Sequence, residues 1–502
     1  MPRNTSREAI QKLKYHAKYS GIFANLEAIG SYDDFSQTVV LDYLDEKSFL
    51  QLLESFQSNT KGDKNAQKAT LQANYESMAR FYSTCVHEFT HWLDHTSTLW
   101  GQKQLILIYN AINAWTNQNE REFYRIAIAN SERHRARLST YYTEKYKEIQ
   151  QENTITPWQY AYGSALEFGI DSRSRTDRPF VYTVFSNSSN EPIIRVPFSM
   201  FALTEANATY AELKVKSQSL ALLDDDSKLV EQLRLNQEIQ RNLYNSELVI
   251  YSVATHCLAN STEIDEGFQA YEFSSALAML CLNLPKELFY SLSLPATVRT
   301  ILNRQRWNAG FSIITEANTN GGMRVSASVS KNVRSIVPAE FDVWGDRVQA
   351  LQELSDPGFA FFAIAQQAPK YENNVSVERW LQEALRSAGL PNLETIKKLA
   401  VIQMKELESE IIEGIYVGRL RYLLSIGRKN FIQRGVWGQN VLSMENLHQT
   451  AIMLPPIVLG DGYTTPVVAT TIPTNPQAMD RWIDQIIKIE GSIEQFIRAC
   501  RF

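Results

Sequence analysis

The amino-acid sequence predicts a mainly α-helical (α+β) fold with a small β-sheet and a helical C-terminal region. Three observations carry this. Between residues 65 and 97, apolar side chains recur at Leu71, Tyr75, Met78, Tyr82, Cys85, Phe89 and Trp92 in alternating steps of four and three. That is the stripe of a helix buried along one side. Similar periodic stretches fill most of the chain, whereas runs rich in β-branched and aromatic residues are few and short. Finally, the composition is that of a soluble globular chain, 502 residues long with 44% hydrophobic and 21% charged residues. That length suffices for two or three domains and at least one well-buried core.

In chain order, helical periodicity covers 36–58, 65–97, 101–150, 200–222, 227–260, 266–282, 340–355, 376–388, 392–425 and 478–500. Strand candidates are TVVLDY at 38–43, inside the first of these stretches, FVYTVFS at 180–186, PIIRVPF at 192–198 and PVVATTI at 466–472. DSRSRTDRP at 171–179 and DDDS at 224–227 carry the polar and proline signals of exposed turns. EANTNGGMRVSASVSKN at 316–332 is the most loop-like segment. It suggests a first domain over 1–290, a flexible linker over 291–335 and a helical C-terminal domain over 336–502.

Charge and cysteine usage narrow the function classes. A formal charge of −5 leaves no global basic field for nucleic acid or an anionic membrane. The longest strongly apolar run, GFAFFAIA at 358–365, is far below the roughly 18 residues that cross a bilayer. Four scattered cysteines form no CxxC pair, and MPRNTSREAIQKLKYHAKYSG has no apolar leader stretch, which together point to a reducing, cytoplasmic setting. Arg419, Arg421, Arg428, Lys429 and Arg434 cluster among aromatic residues, and in an acidic chain they read as a solvated helix face. Cys85, on the apolar stripe, reads as packing.

The chemistry concentrates at STCVHEFTHWLDH, residues 83–95. His87 and His91 stand four apart on a helix, about 40° from each other, so both imidazoles reach one ion. Neutral imidazole is a good zinc ligand, and a catalytic zinc keeps one position for water. Glu88 projects about 100° further round, beside such an ion, where it can act as general base. Relative to Cys85, His87 and His91 lie about 200° and 240° round the helix, away from the apolar stripe, so core packing does not explain them. His95 is about 12 Å beyond His87 along the axis, too far for one straight helix to bring all three rings together. It faces solvent or stands behind the ligands. Asp94 has no partner that the sequence identifies.

A third ligand has to come from elsewhere. TEANATYAE at 204–212 follows the pattern N-E-G-F-A-S-Y-V-E at Glu205, Ala208, Tyr210 and Glu212, with Thr209 in place of Ser. With HExxH, this resembles the gluzincin metallopeptidases, whose zinc site is completed by a downstream glutamate. The resemblance covers about 30 residues. It implies a zincin-like helical metallopeptidase core in which His87, His91 and Glu205 bind Zn²⁺. Two departures stand out. A gap of 113 residues lies between His91 and Glu205, long for the family, and Thr209 stands where thermolysin-like members carry an aspartate that orients a ligating histidine. The rival IDEGFQAYEF at 264–273 offers Glu266, but its Ala270 and Glu272 are each displaced by one residue; Glu167 is a weaker candidate. His256, Tyr210 and Tyr271 are candidates for the oxyanion donor.

The expectation is a zinc-dependent peptidase acting on a protein or peptide substrate, with Glu88 as general base, no membrane partner and no nucleic-acid partner. The alternatives are a non-catalytic interaction protein on a zincin-like scaffold and a zinc hydrolase with a non-peptide substrate. Oligomeric state is not readable.

Overall fold

The structure is a computed structural model that describes residues 30–51, 75–146, 158–168, 174–289, 291–293, 357–437, 455, 457–460 and 476–500. Among these, helix predominates, with two small sheets. The chain packs as two compact units, each assembled from separated stretches: 1–135, 204–239 and 401–502 in one, 136–203 and 240–400 in the other. Each unit thus draws on sequence from both sides of 291–335. That segment, from residue 294 onward, lies outside the described residues, as do the helix expected at 340–355 and the strand expected at 466–472.

The first unit is organised round the helix Tyr75–Ser97, which carries the histidine motif. Glu76, Ser77 and Arg80 are exposed on its early turns, but from Phe81 to Leu99 every residue is buried except the half-buried Thr84 and His87. The helix is therefore covered on all sides rather than along one stripe. Two glycines let neighbours close on its last turns. A Cβ on Gly101 would stand 2.1 Å from the Asp94 carbonyl oxygen, and one on Gly427 would stand 1.7 Å from that of Thr96. Gly101 belongs to the helix Leu99–Thr116, whose N-cap Thr98 accepts the Gly101 N–H. Gly427 belongs to the helix Val417–Arg434. Between these helices Asn110, Asn113 and Asn117 pin the loop at 410–416: Asn110 donates to the Glu410 carbonyl and accepts from Ile412 N, Asn113 accepts from Tyr416 N, and Asn117 donates to the Glu413 carbonyl. A three-stranded sheet completes this unit, with Ser31–Asp33 antiparallel to Thr38–Leu41 and the latter parallel to Ile457–Leu459.

The second unit holds a four-stranded antiparallel sheet in the order Glu144–Lys145, Pro192–Pro197, Ser174–Ser186, Gln159–Phe168. It also holds the helices Val249–Thr262, Gly267–Leu282 and Pro357–Ala365, the last buried at every residue. No helix among the described residues is long and apolar enough to cross a membrane.

Several elements depart from the sequence reading. Residues 174–179, expected as an exposed turn, belong to the strand Ser174–Ser186, because pairing with Gln159–Phe168 supplies the hydrogen bonds that local composition does not. The helix read as 101–150 breaks after Thr116 and again at Arg137. Gln118 takes a left-handed φ of 51° in the first break. The stretch 392–425 divides at the pinned loop into Leu393–Leu407 and Val417–Arg434. The stretch 36–58 resolves into the strand at 38–41 and a helical start at 46–51, the remainder lying outside the described residues.

Candidate metal centre

The helix Met200–Ser219 brings Glu205 to the histidine pair. Glu205 Oε2 stands 3.5 Å from His87 Nε2, and Glu205 Oε1 stands 3.6 Å from His91 Nε2. The imidazole centroids are 5.0 Å apart at 75° to each other. One ligand atom from each of the three residues lies within 4.8 Å of the other two, and among the described residues this is the one such group of potential metal ligands. All three residues belong to the first unit.

The separations discriminate between a hydrogen-bonded cluster and an ion site. At 3.5–3.6 Å the nitrogens and oxygens are too far apart for good hydrogen bonds. Bonds of 2.0–2.1 Å to a tetrahedral zinc, however, put neighbouring ligand atoms about 3.4 Å apart. Glu205 is fully buried, and neither of its carboxylate oxygens makes a hydrogen bond. Burial raises the Glu205 carboxyl, and only a cation beside it, a protonated His87 or a metal ion, offsets the cost of its charge. Two imidazoles and a carboxylate are also a donor set that suits Zn²⁺. The residues present fit the metal.

A carboxylate behind His87 fixes which nitrogen faces the site. Glu212 Oε2 is 3.1 Å from His87 Nδ1. An ionised carboxylate only accepts, so Nδ1 carries a proton and Nε2 is the nitrogen that faces Glu205. Lys216 Nζ in turn lies 2.8 Å from Glu212 Oε1 and 2.7 Å from Glu238 Oε1. Burial pushes the Glu212 carboxyl up, but Lys216 and His87 outweigh it and hold the group well below the usual range.

On the far side of the motif, Asn207 donates to both oxygens of the fully buried Asp94 at 3.3 and 3.4 Å. Burial raises the Asp94 carboxyl to about 7 against the opposing charge of Arg434. Arg434, expected on a solvated face, is buried and donates to Ser97 Oγ. Arg419 likewise stacks on Trp482, donating to Tyr109 Oη and the Ser36 carbonyl, while Arg421 and Lys429 remain exposed.

Glu88 is buried beside the ligands, and its Oε2 has no hydrogen-bond partner. Desolvation, together with the charges of Glu205 and Glu212, pushes its carboxyl up to about 8, with His87 opposing. Burial works against a charged His87, yet Glu205, Glu212 and Glu88 outweigh it and raise its proton affinity well above that of an ordinary histidine. His91 moves the other way, lowered by burial and by the neighbouring His87 and His95. The pocket of carboxylates thus favours a cation at the Nε2 edge of His87.

The other candidates lie elsewhere. His95 does not face solvent: it is buried, its Nδ1 lies 3.1 Å from the His91 carbonyl oxygen, and its ring contacts Tyr32 and Trp100. Glu266 caps the helix Gly267–Leu282, accepting from Phe268 N and Gln269 N. Glu167 sits on a strand opposite Arg175, at a register shift. Both belong to the second unit, as do His256 and Tyr271. His256 Nε2 lies 2.7 Å from the Leu243 carbonyl oxygen, and its ring packs on Trp158, Phe185 and Tyr244. Tyr210 is buried on the Glu205 helix. Cys85 is buried, as its packing role requires.

Sequence reasoning missed the roles of Glu212, Lys216 and Asn207. The signal for the first two was present: seven residues are two helical turns, so Glu212 shares a face with Glu205, and Lys216 follows it by four. No protein-family model, curated protein or solved structure matches the chain.

Proposed function

We propose that the protein is a zinc-dependent peptidase with a gluzincin-like zincin core, working in a reducing, cytoplasmic setting on a protein or peptide substrate. The observation that carries the reading is the buried Glu205 carboxylate, 3.5–3.6 Å from two imidazole Nε2 atoms and without a hydrogen bond of its own. Zn²⁺ held by His87, His91 and Glu205 would supply Lewis acidity toward a water and the scissile carbonyl. Glu88 would serve as the general base toward a water at the site and then as the acid toward the leaving amine. Its burial suits it to this: desolvation raises its proton affinity above that of an exposed glutamate, while a neighbouring dication would favour the ionised form that accepts a proton. Glu212 holds the His87 ring in its ligating tautomer. An intact base distinguishes this reading from a structural metal site, which needs no carboxylate at position 88.

The test is metal analysis of the purified protein followed by digestion of a mixed peptide library, read by mass spectrometry. About one zinc per chain, lost in His91→Ala, together with cleavage abolished in Glu88→Gln, is the expected result. Stoichiometric zinc persisting in a His87→Ala, His91→Ala double variant would overturn it.

A further inference from the structure

The geometry points to Lys216 as a positioning residue of the metal centre, acting through Glu212 to orient His87; this rests on the zinc reading above. Glu212 is a flexible side chain in an unfavourable place. Its carboxylate faces His87 together with those of Glu205 and Glu88, and it is only about three-quarters buried, so solvent is within reach. Desolvation works against its charge at this depth, and a partly exposed glutamate held by His87 alone is free to swing toward solvent, away from Nδ1. Lys216 prevents this by dividing the carboxylate: Oε1 goes to Nζ at 2.8 Å, leaving Oε2 for His87 Nδ1 at 3.1 Å. The lysine is itself anchored at a second point. Glu238, on the helix Asp225–Leu243, takes Nζ at 2.7 Å, so the ammonium is held from two helices. An i, i+4 pair on one helix would by itself contribute only a few tenths of a kcal/mol to stability. What sets this pair apart is where its free oxygen points. Partners of this kind commonly change metal affinity by 10–100-fold when removed.

The experiment measures zinc affinity by competition with a chromophoric chelator in the full-length protein, with thermal unfolding as the folding control. Lys216→Met should weaken zinc by 10–100-fold, and Lys216→Arg, which restores the charge, should stay within about threefold of the parent. Lys216→Gln replaces Lys216→Met should the latter not fold. The decisive arm is the Glu212→Gln background. A lysine that acts only through Glu212 has nothing left to position there, so adding Lys216→Met should change affinity by less than about twofold. Equal losses in both backgrounds, or a fall in stability with zinc affinity unchanged, would overturn the assignment while leaving the metal reading intact. A parent protein that takes up no zinc would instead overturn both.

Discussion

Glu88→Gln has a consequence that does not depend on catalysis. In the metal-free protein Glu88 is buried among carboxylates, and its carboxyl is raised from 4.5 to about 8. A group whose folded-state pKa lies above its unfolded value binds its proton more tightly when folded, so stability falls as pH rises between the two values. Integrating from 4.5 to 8 gives a destabilisation of about 1 kcal/mol at pH 5 and about 4 kcal/mol at pH 8. Glutamine is nearly isosteric and has no charge to bury, so the variant should recover most of this. Chelator-treated parent and Glu88→Gln would be compared by thermal unfolding at both pH values. The variant should be the more stable, by several degrees more at pH 8 than at pH 5. Equal unfolding temperatures at pH 8, or a gain independent of pH, would refute the placement of Glu88 in a low-dielectric pocket of like charges.

Three further outcomes follow from the geometry. Glu205→Ala should weaken zinc by at least 10–100-fold in a chelator competition, whereas Glu266→Ala should leave it unchanged and cost only the stability of a helix cap, about 1 kcal/mol. Because the carboxylates hold a proton on His87 well above the ordinary histidine range, zinc must displace it. Apparent affinity should therefore rise by up to about tenfold per pH unit between pH 6 and 7, and a pH-independent affinity would count against His87 as a ligand. Gly427→Ala places a methyl 1.7 Å from the Thr96 carbonyl oxygen, where only backbone can give way. The helices must separate, and a marked loss of unfolding temperature is the expected reading.

The parts of the site that were legible in the sequence are those set by one helix. His87 and His91 follow from a four-residue step, and the rejection of His95 as a co-ligand follows from a rise of 1.5 Å per residue. Glu205 was reached through resemblance to a known motif, not through spacing. What escaped was long-range pairing. Nothing near Arg434 announces that it will be buried within range of Asp94, more than three hundred positions away, so a cluster of basic residues read as solvated. The strand at 174–179 was hidden for the same reason, since its hydrogen bonds come from a partner strand and not from its own composition. The broken helices at 117–119 and 411–416 share this cause in part, the second being pinned by asparagines of a distant helix.

The interleaving of the two units has a consequence for how the protein is made. Synthesis at about 5–20 residues per second separates His91 from Glu205 by roughly 6–23 s. The helix carrying Gly427, which closes on the last turn of the motif helix, follows after a longer interval still. During that time the motif helix has emerged with its apolar stripe and its buried polar residues alike lacking the neighbours that cover them. The nascent chain therefore presents a sticky, half-built centre, with a complete set of donors only after residue 205 and a sealed one only after residue 434. Long loop closures of this kind slow folding and lengthen exposure to aggregation.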